Sequence, residues 1–379
     1  MKTFYKVIWQ EANVNYLMTA LAELRQTLEN YINSQQNQSQ IEDIPTPSNL
    51  ERLCSLFGLN KFERDVLLLC AGMEIDSSWA GLCAKSNKDA SLDYPTFGLV
   101  LAISNHFNWS AITPVAPLRN WRLIEVGASK TLINAPLRID EQILHYLMGS
   151  PYLDESLIGI FEPLETENIP IMVDSHEQLA QEIAATWQHT PEIILIIQLC
   201  GSNVVSKKTI AQTVCAQLGL NLYVLSAQKL TYNPNELEQL LQRWGRQVIL
   251  NKSVVLLECD INTSDTAQLN KVQYFIHTVT SPLIIASEDR LSAKQRTMVT
   301  YDVEKPTTNE QQTIWKQVLG EKANQFDGIV NTLVSQFNLT APEIYGAYAK
   351  AVGMGNGGTK GQLPITNSQL PITNYQLPI

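Results

Sequence analysis

The stretch IILIIQLCGSNVVSKKTIAQTVCAQLG, residues 193–219, decides the fold. An apolar run, one glycine, a few polar residues and a lysine pair with a threonine precede a helical pattern. That is the strand, loop and helix outline of a phosphate-binding loop. In the G-x-x-x-x-G-K-[ST] form, glycines permit positive φ and close backbone approach, so successive N–H groups and a helix N-terminus face the phosphates. The lysine offsets phosphate charge and the hydroxyl holds Mg²⁺. Here Gly201 supplies the first glycine and Lys207 the lysine. Ser206 stands in place of the second glycine, Val204 at the intermediate position and Lys208 in the Ser/Thr slot, with Thr209 one residue late. The β-branched Val204 and Val205 resist the left-handed conformations such a loop requires. The outline of a phosphate site is therefore present without its inner glycines.

The partner elements depart from the pattern in the same direction. A strand ending in Asp-Glu would organise Mg²⁺ and polarise an attacking water. The run SVVLLECD places Glu258 at the metal position, acting through water, and Cys259 at the base position, where a thiol cannot replace a carboxylate. Asp260 is displaced by one residue, which turns it to the opposite face. Ser287 ends the run LIIAS, where a polar side chain would orient water or sense the terminal phosphate. Arg290 and Arg296 follow in the region from which a neighbouring subunit would insert an arginine finger, or are two solvated arginines flanking a strand.

Outward from this stretch the pattern is regular. The runs EIILIIQLC, NLYVLSA, SVVLLEC, PLIIAS and MVTYDV alternate with amphipathic segments, which predicts a parallel sheet sandwiched by helices over residues 166–305. Three helical stretches without a strand follow over 306–354, a small helical lid. Upstream, residues 1–35 read as one helix, with Val14, Leu17, Met18, Leu21, Leu24, Leu28 and Ile32 at intervals of three and four. That helix is expected to dock on the first domain or on another subunit. A polar linker spans 36–48. Residues 49–165 combine several helices with the strand-like WRLIEV and TLINAPLRI, a mainly α, winged-helix-like domain. The fold class is thus α/β with a mainly α domain before it. Residues 355–379 carry the repeats QLPITNS, QLPITNY and QLPI, whose prolines break both helix and central strand, so they are expected to be disordered. They look like translated repetitive DNA.

Composition excludes several functions. The chain of 379 residues is 45% hydrophobic and carries a net charge of −10. Residues 49–165 hold nine Lys and Arg against fourteen Asp and Glu, net −5, which disfavours a DNA-reading surface. The six cysteines lie apart in apolar stretches and read as small buried hydrophobes, and the five histidines show no ligand spacing, so a metalloenzyme is not expected. No apolar run is long enough to cross a bilayer and no signal peptide develops, so the cytoplasm is the expected compartment.

In order and kind, these elements resemble an AAA-type ATPase module: the strand before Gly201, the K-K-T loop end, Glu258, Ser287 and the lid after Pro306. The segments LCSLFGLNKFERDVLLLCAGMEID and APLRNWRLIEV with NAPLRIDEQILHYLMG resemble the winged-helix domain that precedes AAA modules in a group of bacterial ATPases. The resemblance implies ATP and Mg²⁺ as cofactors, with Lys207 and Thr209 as phosphate and hydroxyl contacts, Gly201 as the turn, and Ser206 and Lys208 within the loop. It implies protein partners, either other ATPase subunits or an assembly client, some of this kind being associated with phage-tail-like contractile injection systems. Such proteins commonly pair a divergent module with an intact one, so this chain is expected to be the amino-terminal half of a longer ancestor with little or no hydrolysis. A non-catalytic interaction module is the alternative expectation. Nucleic acid and membranes are not expected partners.

Overall fold

The computed structural model describes residues 2–33, 48–104, 109–165, 172–189, 195–231, 233–259, 265–292 and 296–355. The expected linker, apart from Ser48, lies outside them, as do the repeat tail beyond Gly355 and Asp260. The chain divides into two compact units, Met1–Ile158 with Glu238–Leu250, and Gly159–Leu237 with Asn251–Ile379.

The first unit holds helices α1 (Lys2–Asn33), α2 (Asn49–Phe57), α3 (Lys61–Ile75), α4 (Ser78–Asn87), α5 (Phe97–Ile103), α6 (Pro117–Asn120) and α7 (Glu141–Leu147). A short antiparallel hairpin joins β1 (Ile124–Val126) to β2 (Leu137–Ile139). Local chemistry sets the helix ends. Ser48 caps α2 by accepting from Glu51 N, Gly58 closes it at φ 64°, and Asn60 with Glu63 forms a reciprocal capping box at the start of α3. Helix α1 is part of this core, because Leu17, Ala20, Leu21, Leu24 and Leu28 are buried in one cluster with Leu53, Phe62, Leu67 and Phe97. Met18, expected on the same stripe, is 45% exposed. Adjacent positions on a helix diverge by about 100°, and Leu17 takes the inward direction. Asn13 fixes the docking: its Nδ2 donates to Leu147 O at 2.8 Å while its Oδ1 accepts from Asn49 N at 2.6 Å.

Helix α10 (Pro234–Asn251) falls within the segment expected to form the α/β core, yet its residues Glu238–Leu250 belong to the first unit. Leu250 joins the first unit's core, and a buried ionic cluster adds to it. Arg246, 0% exposed, places Nη2 2.6 Å from Asp154 Oδ2 and 3.0 Å from Asp140 Oδ1, and Arg243 Nη1 lies 2.8 Å from Asp154 Oδ2. Burial alone would raise the Asp154 carboxyl. Hydrogen bonds from Arg243 and Ser156 N, with the charges of Arg243 and Arg246, hold it below the ordinary carboxylate range instead.

The second unit contains β3 (Glu162–Leu164), α8 (Asp174–His189), β4 (Ile196–Cys200), α9 (Val204–Leu218), β5 (Asn221–Ser226), β6 (Ser253–Cys259), α11 (Thr266–Thr278), β7 (Leu283–Ser287) and β8 (Met298–Asp302). Its sheet has the order β3-β5-β6-β7-β4-β8, parallel throughout except for the β3–β5 pair. Every residue of β4 and β7 is buried, so both sheet faces are covered, as their mainly apolar runs require. Strand β3 went unnoticed because Glu162-Pro163-Leu164 has neither alternation nor β-branched residues, and a proline there fits only an edge. The lid is α12 (Thr308–Leu319), α13 (Asp327–Gln336) and α14 (Ala341–Gly355), closed on Ile314, Trp315, Val330, Val334 and Ile344.

Replacing Arg246 by methionine keeps the apolar stem and leaves two buried carboxylates to share the single guanidinium of Arg243. We expect a loss on the order of 3–5 kcal/mol in urea unfolding. Asp154 has a depressed folded-state pKa, so its contribution is complete above the unfolded value of about 4 and fades as pH falls through the lower folded value. Asp154→Asn should therefore flatten the acid limb of stability below about pH 4, read by thermal melts across pH.

Candidate functional site

Strand β4 sits between β7 and β8, while the next strand in sequence, β5, lies on the far side of β6. The strand order thus reverses at β4, and the carboxyl ends beside it form the crevice where open parallel sheets take ligands. In register across that edge stand Cys259, Ser287, Cys200 and Asp302.

Gly201 turns the chain at φ 149°, a region open essentially to glycine alone. A Cβ here would fall well inside van der Waals contact with Val303 O, and Gly201 N donates to Ser287 O at 3.1 Å. Only Ser202 and Asn203 follow before α9 begins at Val204. Val204 and Val205, which could not line a left-handed loop, are helical instead, and the loop is correspondingly short. Asn203 caps α9, with Oδ1 accepting from Ser206 N at 3.0 Å. One of the N–H donors that a phosphate would use at this helix start is occupied by the chain itself.

The remaining candidates are also engaged. Lys207 is 1% exposed, and its Nζ donates to Gly201 O at 2.7 Å and Ser287 O at 2.8 Å. Lys208 Nζ lies 2.8 Å from Glu258 Oε1, an ion pair whose angle falls outside hydrogen-bond geometry, so that oxygen has no hydrogen bond. Thr209 Oγ1 donates back to Val205 O at 3.0 Å, one turn earlier in its own helix. Ser287, 2% exposed, accepts from Gln198 Nε2 at 3.1 Å, and Thr300 Oγ1 donates to Gln198 Oε1 at 2.9 Å, a polar chain running across three strands. Burial, opposed by the Ser287 hydroxyl, pushes the Cys200 thiol above its ordinary value.

Of the two arginines, Arg290 stands at the rim of this edge and Arg296 at the end of α11. Arg290 pairs with Asp302 at 2.6 Å on the surface. Arg296 donates to Ile276 O at 3.0 Å and Val279 O at 2.5 Å, closing the C-terminal end of α11, and burial lowers its guanidinium from the ordinary value. The structure therefore brings Gly201, Ser206, Lys207, Lys208, Thr209, Glu258 and Ser287 to one edge, with Arg290 paired to Asp302 and Arg296 bonded to the end of α11.

A nucleotide with Mg²⁺ needs free N–H donors, a lysine reaching outward, and oxygens open to the metal. Here Ser206 N is capped, Lys207 is turned onto two carbonyls, Thr209 bonds within its helix, and Glu258 faces an ammonium. The residues present do not fit Mg·ATP. Among the described residues, no group of three His, Cys, Asp or Glu is placed to hold a metal. Asn203 and Gln198 escaped the sequence reading. An asparagine three residues before a serine, at the start of a helical pattern, is an N-cap signal, and it was masked by aligning residues 201–207 to a longer loop.

Comparison with known proteins bears on the flanking regions. Residues 8–160 match the model of a winged helix domain, variant, and residues 307–371 that of a contractile injection system ATPase helical domain. The second match includes α12–α14 and runs beyond them. No curated protein sequence matches the chain. Among solved structures, a Rhizobiales Trip13 aligns at 14% identity over 48% of this chain and 82% of its own, with a TM-score of 0.32. Thermotoga maritima RuvB carrying A156S aligns at 14% over 48% and 64%, TM-score 0.36, and C. elegans PCH-2 at 10% over 52% and 65%, TM-score 0.36. These scores are too low to carry an argument.

Gly201→Ala should cost at least about 2 kcal/mol, from forbidden backbone geometry and the collision with Val303 O. Asn203→Ala should cost about 1 kcal/mol through loss of the cap alone. Urea unfolding of both variants checks the ranking, and an Asn203→Ala cost equal to that of Gly201→Ala would contradict it.

Proposed function

We propose that this chain is an AAA-type module with a degenerate phosphate loop that acts without nucleotide, as a protein-binding assembly component of a contractile injection system. The Lys208–Glu258 ion pair carries this reading. The resemblance to AAA modules assigns Glu258 to the metal and position 208 to a metal-binding hydroxyl. With lysine at 208, a cation tethered to the chain neutralises Glu258 at 2.8 Å, and a divalent ion would meet a like charge there. Asn203 and Lys207 complete the substitution: one stands in for the phosphate at the helix start, and the other takes carbonyls as its acceptors.

The match of residues 307–371 to a contractile injection system ATPase helical domain supports the setting, and the acidic balance of residues 49–165 supports protein rather than nucleic-acid partners. No described helix is long and apolar enough to cross a membrane. A second reading, weak ATP binding without turnover, is favoured by Gly201 and Lys207 standing at the switch point of the sheet.

A thermal-shift titration separates the two. Mg·ATP at 100 times its Kd would stabilise the fold by about 2.7 kcal/mol. In a unit of this size that corresponds to roughly 5–10 °C. We expect no shift with Mg·ATP or Mg·ADP at millimolar concentration, and a saturable rise would favour the second reading.

A further inference from the structure

The lid carries an apolar face that its own helices leave open. On α13 Ile329 and Leu333 lie one turn apart, and Phe326 and Phe337 stand at the two ends, so spacings of three, four and four put all four on one side. On the neighbouring side Val330 and Val334 close the lid core with Trp315 and Ile344, and Leu333 is half-buried against it. Phe326 is 38% exposed, Ile329 56% and Phe337 51%. Scattered exposed hydrophobes are ordinary, but three along one helix, beside a packed core, form a surface that lacks a cover.

We propose that the cover is this chain's own repeat segment, residues 363–379, with one of its Leu-Pro-Ile triplets seated on α13 of the same molecule. The contact concerns the lid alone, rests on no nucleotide chemistry and goes beyond the assembly role.

Three observations favour this occupant. The match to a contractile injection system ATPase helical domain does not stop with α14 at Gly355 but runs to residue 371. The family's domain therefore has chain where this one carries Leu363-Pro364-Ile365 and then Leu370-Pro371. Reach is sufficient. A body of about 50 residues has a radius of gyration near 10 Å, whereas the fifteen steps from Gly355 to Leu370 can span up to about 50 Å. The second triplet can thus arrive at any point of the lid's surface, and the first at much of it. Chemistry matches as well. The one charged residue of α13 is Asp327, which lies 3.6 Å from Lys316, and residues 362–379 carry no charge. Neither surface has to desolvate an unpaired ion, whereas a strongly charged partner would find no counter-charge on this face. Proline at the centre of each triplet restricts the backbone and so lowers the entropy lost on docking, and aromatic rings such as Phe326 and Phe337 suit proline-bearing segments. Three equivalent triplets on one tether add to the occupancy of a single site.

Photo-crosslinking on the full chain tests this, with a benzophenone amino acid in place of Ile365, Ile372 or Ile379 in turn and mass spectrometry of the joined peptides. At least one position should crosslink to residues 326–337 within one chain, with a yield constant from ~1 to ~50 µM protein, because the tether holds the local concentration near millimolar. Ile329→Asp with Phe337→Ser, both at exposed positions, should cut that yield about fivefold while circular dichroism stays unchanged. Leu363→Ser with Leu370→Ser and Leu377→Ser leaves the lid untouched and should cut it by a similar factor. Raising NaCl from ~0.05 to ~0.5 M should leave the yield unaltered, since no charge pair is involved. No crosslink to residues 326–337, or an undiminished yield in either variant, would overturn the proposal. So would crosslinks between chains that rise with concentration, which would assign the face of α13 to a second copy. None of these outcomes depends on whether ATP binds the loop at Gly201.

Discussion

An ammonium group buried to 1% exposure has to be solvated by the protein, and at Lys207 two backbone carbonyls do it. Those carbonyls belong to Gly201, just after β4, and to Ser287, the last residue of β7, so the lysine clamps neighbouring parallel strands at their carboxyl edge. The clamp works only because Gly201 can adopt φ 149° with its Cα pressed on Val303 O, and because α9 begins early enough to bring Lys207 back over the strand ends. Burying a charge is costly unless it is fully paired, so this arrangement cannot relax without leaving an orphan ion. Once it is made, the lysine is committed to the fold.

The neighbouring charges obey the same constraint. Lys208, one residue on, faces Glu258 across the crevice. In a nucleotide site the carboxylate and hydroxyl at these positions answer to a metal supplied from solution; here the balancing cation is covalently part of α9. The polar chain Thr300–Gln198–Ser287 then ties β8, β4 and β7 together beneath the edge, using a side chain that a sensing role would need to leave free. Each replacement is local, and all favour a crevice that is closed chemically by the chain's own groups.

Much of this was legible in the residues. The largely apolar run SVVLLEC coincides with β6, Ser253–Cys259, because a strand buried on both faces is built mainly of apolar residues. The gathering of Gly201, Lys207, Glu258 and Ser287 at one edge followed from their places at strand ends. What the sequence hid was partnership. Arg296 reads as a free cation near a strand end until the last carbonyls of α11 are seen beside it. Helix α10 reads as an ordinary crossover, and the pairing of Arg243 and Arg246 with Asp140 and Asp154, about a hundred residues earlier, together with Leu250 in the first unit's core, ties its later turns to that unit. Ionic partners far apart in sequence leave no periodic trace, whereas burial does.

The central claim is that Lys208 supplies the cation for Glu258. A double-mutant cycle with Lys208→Met, Glu258→Gln and the pair, followed by urea unfolding, measures that interaction directly. We predict a favourable coupling of roughly 1 kcal/mol, unchanged by millimolar MgCl₂. A coupling indistinguishable from zero, or Mg²⁺ stabilising the wild-type chain through Glu258, would contradict the account.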